Sequence, residues 1–272
     1  MEYEIKPKQK LNLNLKELWE YKELFYFFTW RDVKVKYKQT FLGALWAVLQ
    51  PLLMMLVFTF VFQGNFKINT GNSSYPVFVY SGLLLWNIFN SGISNSGNSM
   101  VSHANIIKKI YFPRLIIPIS AILSSLIDFI IAFVIFIFLL GGYHQLGQLP
   151  NLILHLPLAL LITFFSTCGL GCLLSALNIK YRDFRYIIPF MMQILFFASP
   201  IIYPVSNFSN PWIKKLLALN PISGAIEYFR SVLTGIPYDP ILVSYSFASS
   251  LFFLIIGLVY FRRTENYFAD IA

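Results

Sequence analysis

The sequence predicts an all-α polytopic membrane protein with six transmembrane helices, and two features of the chain carry that expectation. Six apolar stretches cover residues 42–62, 76–95, 115–140, 152–177, 187–203 and 241–261. A helix needs ~20 residues to cross ~30 Å of hydrocarbon, and within lipid only helices and closed barrels satisfy every backbone polar group. Positive charge is then crowded into alternate gaps. Nine Lys and Arg precede residue 42, three lie in 108–114, three in 180–185 and two follow residue 261; the other gaps hold one, none and three. By the positive-inside rule, that bias puts both termini in the cytoplasm, which requires an even number of crossings.

Composition agrees. Of 272 residues, 57% are hydrophobic, 18% aromatic and only 12% charged, too little polar surface for a soluble domain. The net charge of +9 follows from topology and attraction to anionic lipid, so no nucleic-acid partner is expected. The first 40 residues are polar or amphipathic and unlike a cleavable signal, so the first span is expected to remain as an anchor.

The chain divides into a cytoplasmic N-terminal segment, 1–41, and a six-helix membrane domain, 42–272. Within the first, Leu15, Leu18, Trp19, Phe25 and Phe28 recur at helical spacing among Lys16, Glu17, Glu20 and Glu23, the pattern of an amphipathic helix lying in the membrane interface. Residues 31–38 alternate with period two. A lone strand at a bilayer would leave its edges unpaired, so a helix or turn feeding the first span is expected. Its cations Arg31, Lys34, Lys36 and Lys38 then stand at phosphate depth, where they act as topology determinants touching any headgroup or as a site for a phosphorylated lipid.

The second span carries Asn87, Asn90, Ser91, Ser94, Asn95 and Asn98 at intervals of three and four, one polar stripe on a greasy helix. It serves interhelical hydrogen bonds or a hydrated pathway. Asp128 is the acid placed deep in a span, where isolation is unfavourable by ~2.5–3.5 kcal/mol, so a partner is expected. Cys168 and Cys172 flank glycines in the fourth span; no third ligand suggests a metal, and close helix packing is the expectation. His103, His144 and His155 read as ordinary polar residues. The fifth stretch, interrupted by Pro189 and Pro200, is marginal as a span. Segment 205–240 holds two short helical patterns, 212–219 and 223–233, split by Asn220-Pro221, and is read as re-entrant or surface helices forming an outer gate with Glu227 and Arg230.

Catalytic chemistry is missing: there is no phosphate loop, no paired acids at catalytic spacing and no Ser/His/Asp set. Six inter-span segments instead resemble, in order, the permease subunits of bacterial polysaccharide ABC exporters of the O-antigen and teichoic acid type. They are Trp30-Arg31-Asp32-Val33-Lys34-Val35-Lys36-Tyr37-Lys38-Gln39-Thr40 with Leu42-Gly43, Trp46 and Gln50-Pro51; Asn105-Ile106-Ile107-Lys108-Lys109-Ile110-Tyr111-Phe112-Pro113-Arg114; Tyr181-Arg182-Asp183-Phe184-Arg185-Tyr186; Ser199-Pro200-Ile201-Ile202-Tyr203-Pro204; Asn220-Pro221 with Glu227 and Arg230; and Glu265-Asn266-Tyr267-Phe268-Ala269-Asp270.

The resemblance implies a half-transporter in the bacterial inner membrane: a second copy of the chain completes a channel, and two separate ATPase subunits hold the ATP and Mg. It implies a coupling segment, 99–114, in which Lys108, Lys109 and Arg114 pair with partner acids while Ile106, Ile107, Tyr111 and Phe112 form the apolar anchor. The cargo it implies is a polyprenyl-diphosphate-linked glycan, whose sugars would stack on channel aromatics drawn from Trp46, Tyr80, Trp86, Phe89, Phe196, Phe197 and Tyr203. An ABC exporter of a drug or ordinary lipid is the nearest alternative; an ion-coupled transporter or a membrane enzyme of lipid-linked sugars lies further off.

Overall fold

The structure, a computed structural model, describes residues 15–38, 43, 45–63, 68–208 and 210–265. Gln39, Thr40, Leu42, Lys67 and the tail motif from Asn266 to Asp270 lie outside the described residues. Every regular element among those described is helical: α1 (Leu15–Glu20), α2 (Lys22–Lys38), α3 (Leu45–Phe62), α4 (Tyr75–Ser102), α5 (Ala104–Ile107), α6 (Ile116–Gly142), α7 (Leu149–Lys180), α8 (Phe184–Phe197), α9 (Pro211–Leu219), α10 (Pro221–Thr234) and α11 (Pro240–Thr264).

Five of these, α3, α4, α6, α7 and α11, are long and apolar enough to cross a membrane. The fifth of the six expected spans is shorter. Its helix α8 has 14 residues, about 21 Å at 1.5 Å each, and ends in a turn that contains Pro200. Along α4, Ile188 sits against Gly97 and Phe196 against Trp86, while the backbone of Ile201 lies against Gly82. The helix and its following turn therefore run beside about sixteen residues of α4.

Helix α4 is the centre of the bundle, packed against α6, α7, α10 and α3. In its most apolar stretch 78% of residues are buried within the protomer, against 11% for α3, which leaves α3 as a peripheral helix. Small residues set the closest approach. Helices α7 and α11 meet where a Cβ on Gly257 would lie 2.0 Å from the Gly169 carbonyl oxygen, so the Cys168-Gly169 segment does pack as its composition suggests. Cys168 and Cys172 are free and buried.

Three helices start by one local rule. Asn210, Asn220 and Asp239 each precede a proline at the first helical position, and each side chain accepts the N–H two residues on, from Trp212, Ile222 and Ile241. Helix α10 stops at Gly235, whose φ of 66° is the left-handed conformation glycine adopts without strain. A surface placement of this helix does not hold: ten of its fourteen residues, including Ile222, Ile226, Phe229 and Leu233, are buried against α4, α7 and α11.

The period-two stretch is helical, one of the two forms expected of it: residues 22–38 form one continuous helix. What the sequence does not indicate is that α2 packs lengthwise on α6. A second apolar cluster joins Leu18, Phe28, Ile107, Phe112, Ile116, Ile179 and Phe261, so both ends of the described chain lie at the same end of the bundle as the α4–α6 connection.

Candidate functional site: a polar cleft on the central helix

The accessible line of α4 is its polar stripe. Asn87, Asn90, Ser91, Ser94 and Asn98 are half-buried and Asn95 is exposed, while the intervening apolar residues face the core. Interhelical bonding accounts for little of the stripe: Ser91 donates to the Asn87 carbonyl at 2.5 Å and Asn98 to that of Ser94 at 2.9 Å, both within the helix. Only at its end does Asn178 of α7 reach across, to the Gly97 carbonyl at 2.8 Å and the Asn98 side chain at 3.1 Å.

Where the stripe meets α6 and the start of α3 there is a cleft of about 100 Å³, lined by Lys36, Trp46, Gln50, Asn87, Asn90 and Asp128, with Ser91, Ser125 and apolar residues between. Asp128 has the partners a buried acid requires: its carboxylate accepts from the Lys36 ammonium and from the Tyr37 hydroxyl, both on the last turn of α2. This pairing explains why α2 climbs along α6.

Arg31 and its neighbours meet the α4–α5 corner. The guanidinium pairs with Asp32 at 2.8 Å, faces Nε2 of His103, and lies 4.8 Å over the Phe28 ring. His103 Nδ1 is 2.6 Å from the Ser99 carbonyl, so the neutral ring donates there and accepts from Arg31. Burial, chiefly, holds its pKa below the ordinary histidine value, and nearby Arg31 adds to this against the Ser99 carbonyl and Asp32. Of the four cations expected at phosphate depth, Arg31 and Lys36 are thus engaged by acids of this chain; Lys34, 5.4 Å over Trp30, and Lys38 are exposed.

The 99–114 segment is divided differently from expectation. Ile107 and Phe112 point inward into the second apolar cluster, Phe112 with its ring 5.7 Å from Phe28, so they anchor the segment to its own protomer and not to a partner. Ile106 is half-buried beside them. Arg114 is also used internally, donating to the Glu265 carbonyl at the end of α11, while Glu265 pairs with Arg262 at 2.7 Å. What faces outward is Lys108, Lys109, Ile110 and Tyr111, the last two each 64% exposed. Ile110 was not among the residues singled out from sequence.

Arg230 and Glu227 meet the turn after α8. Arg230, 1% exposed, donates to the Pro200 carbonyl at 2.7 Å, to that of Ile201 at 2.9 Å and to Ser81 at 3.4 Å, with its plane 3.7 Å over Phe78. Glu227 accepts the Val205 N–H at 2.7 Å. Two side chains one turn apart on α10 thus fix residues 200–205.

The aromatic set separates. Tyr80, stacked on Phe136 and donating to the Ala132 carbonyl at 3.2 Å, is wholly buried, as is Phe89; Trp86 and Phe196 pack on each other in the same core. Core packing removes these four from any surface a channel presents. Trp46 and Phe197 are exposed and Tyr203 is half-buried, its hydroxyl on the Phe197 carbonyl at 2.8 Å.

These features define a polytopic helical membrane protein with a polar accessible line on its central helix, the architecture of a permease. Residues 23–234 match the family described as ABC-2 type transporter, and the chain belongs to that family. It is 29% identical over 220 residues to the O-antigen export system permease protein RfbA of Myxococcus xanthus, covering 80% of this chain and 83% of that one. It is 28% identical over 264 residues to the RfbA of Klebsiella pneumoniae, 96% and 98%, and 26% identical over 244 residues to the polysialic acid transport protein KpsM of Escherichia coli, 87% and 91%.

Proposed function

We propose that the protein is the channel-forming permease of an ATP-driven exporter that carries a polysaccharide on a polyprenyl diphosphate, of the O-antigen or teichoic acid type, across the bacterial inner membrane. Two copies form the pathway, and two ATPase subunits, holding ATP and Mg, dock beneath them. The α8 helix with its turn serves as the fifth of six crossings, both termini face the cytoplasm, and 205–240 is an outer gate with α10 re-entrant. The observation that carries this reading is that the one accessible line of the central helix is a run of amides and hydroxyls. A helix side exposed to lipid would be apolar, so this side faces water or a hydroxyl-rich cargo. The relatives named for O-antigen and polysialic acid point the same way. Lys34 and Lys38, exposed one turn apart on α2, serve the lipid diphosphate, and Lys108, Lys109, Ile110 and Tyr111 serve the ATPase.

The test is reconstitution in vesicles with the ATPase subunit and a polyprenyl-diphosphate-linked glycan. Substrate should stimulate ATP hydrolysis, and the Lys34→Ala/Lys38→Ala variant should lose that stimulation while basal hydrolysis persists. A wild-type complex that ignores the glycan overturns the reading.

A further inference from the structure

We infer that the cleft between α2, α3, α4 and α6 is a subsite for a single uncharged sugar residue; the inference rests on the export reading above and names what part of the cargo the protomer itself recognises.

Charge decides against an anion. The ionisable side chains lining the cleft are Lys36 and Asp128, and they neutralise each other. A diphosphate placed there would have to break that pair and meet a carboxylate at hydrogen-bond range. A cation would find its acid already occupied by the ammonium and by the Tyr37 hydroxyl. What remains is a neutral ligand that both donates and accepts.

Donors and acceptors are at hand. Among the described residues, the side-chain amides of Asn87, Asn90 and Gln50 have no hydrogen-bond partner, although Asn87 and Asn90 are half-buried on an otherwise core-packed helix. Three amides offer carbonyl oxygens and N–H pairs side by side, the complement of vicinal hydroxyls, each of which is itself donor and acceptor. Trp46 supplies the remaining wall with an exposed indole, against whose electron-rich face the C–H side of a pyranose ring can lie. An unpaired half-buried amide loses hydrogen bonds that a hydroxyl can restore. The volume of about 100 Å³, open beside exposed Trp46 and Gln50, accommodates one ring edge and not a chain. Such a subsite reads one residue of a glycan while the rest stays along the polar stripe.

The full chain in lipid nanodiscs would be examined by saturation-transfer NMR with free glucose, galactose, mannose, rhamnose and N-acetylglucosamine at millimolar concentration. At least one pyranose should show transfer to its ring protons. The Asn87→Ala/Asn90→Ala variant should weaken that signal about fivefold or more, the loss of one or two hydrogen bonds. Trp46→Phe should retain the signal where Trp46→Ala reduces it, and inorganic pyrophosphate should not compete. No transfer to any sugar in the wild type, transfer that survives in the double variant, or a signal erased by pyrophosphate would each overturn the assignment. Sugar binding that meets these criteria, in a protein whose ATPase complex ignores polyprenyl-linked glycan, would keep the subsite and reject export, assigning the ligand to a glycolipid headgroup. Glycan-stimulated hydrolysis in a protein that binds no free sugar would do the reverse.

Discussion

Lys36 of α2 and Asp128 of α6, 92 positions apart in the chain, form an ion pair at the floor of the cleft. The lysine is 42% exposed and the acid 14%, so little of the pair's Coulomb energy survives solvent screening, and the geometry matters more than the charge. Asp128→Asn keeps one acceptor oxygen, for the Lys36 ammonium, and turns an N–H toward the Tyr37 hydroxyl, which accepts as well as donates, so it should cost under ~1 kcal/mol. Asp128→Leu removes this partner from both and should cost ~1–3 kcal/mol. Fluorescence-detected size exclusion after heating would rank wild type, Asn and Leu variants in that order, with Lys36→Met/Asp128→Leu recovering part of the loss. Equal melting of the Asn and Leu variants would mean that neither hydrogen bond stabilises the fold.

The α4–α6 connection separates an inward from an outward role at adjacent positions. Phe112→Ala empties a buried site against Phe28 and should cost ~3–5 kcal/mol, seen as lost folded yield. Tyr111→Ala and Ile110→Ala remove exposed apolar surface and should leave yield unchanged while lowering co-purification of the ATPase subunit. If Phe112→Ala folds normally and loses only the ATPase, the inward assignment is wrong.

How much of this the sequence discloses depends on whether local chemistry decides the outcome. The three Asn/Asp-Pro helix starts are local, and α9 and α10 begin within two residues of where they are expected. The Asn stripe predicts its own exposure, because amides at a helical spacing must face something polar. Phe112 and Tyr111, in contrast, are two neighbouring aromatics in a short irregular segment with no periodicity; only the presence of Phe28, 84 positions earlier, turns one of them inward. His103 reads as an ordinary polar residue in the sequence for the same reason, since its partner Arg31 comes from another helix. The fifth apolar stretch is half legible: Pro189 and Pro200 warn of a break, but α10 folding into the core to hold the turn requires long-range packing.

Glycine spacing yields a stability prediction free of functional assumptions. Gly257→Ala would place a methyl 2.0 Å from the Gly169 carbonyl oxygen, and backbone cannot yield as a flexible side chain does. The α7–α11 contact should open, with a melting temperature lowered by several degrees. Gly142→Ala, which meets nothing within 4 Å, should be neutral and is the matched control.

His103 makes the attachment of α2 dependent on pH. Its folded pKa lies below the unfolded value of ~6.5, so the unfolded chain binds the extra proton first and stability rises with pH across that interval. The contact is complete above about pH 7 and weakens as pH falls through ~6.5 toward the folded value, because a second proton on the ring opposes the Arg31 guanidinium. Amide protection over 22–38, taken relative to the intrinsic exchange rate at each pH, should therefore be lower at pH 5.5 than at 7.5, and His103→Gln should flatten the difference. An unchanged pH dependence in that variant would assign it to another group.

Arg230 offers the sharpest separation of geometry from charge. Its planar guanidinium reaches two consecutive backbone carbonyls, Pro200 and Ile201, while stacking on Phe78, and no single ammonium reproduces both contacts. Arg230→Lys should retain one carbonyl and keep most of the folded protein. Arg230→Met removes the donors to both, each loss worth ~1–3 kcal/mol, partly offset because a charge is no longer buried. Gly82→Ala provides an independent probe, since its methyl would lie 2.3 Å from the guanidinium nitrogen and displace it with the charge intact. If Arg230 fixes the turn, amide exchange at 201–205 should rise in the order wild type, Lys, Met, with Gly82→Ala above wild type, and glycan-stimulated ATP hydrolysis should fall in parallel. Exchange that stays flat across the series while hydrolysis collapses would show that Arg230 acts on the cargo and not on the turn.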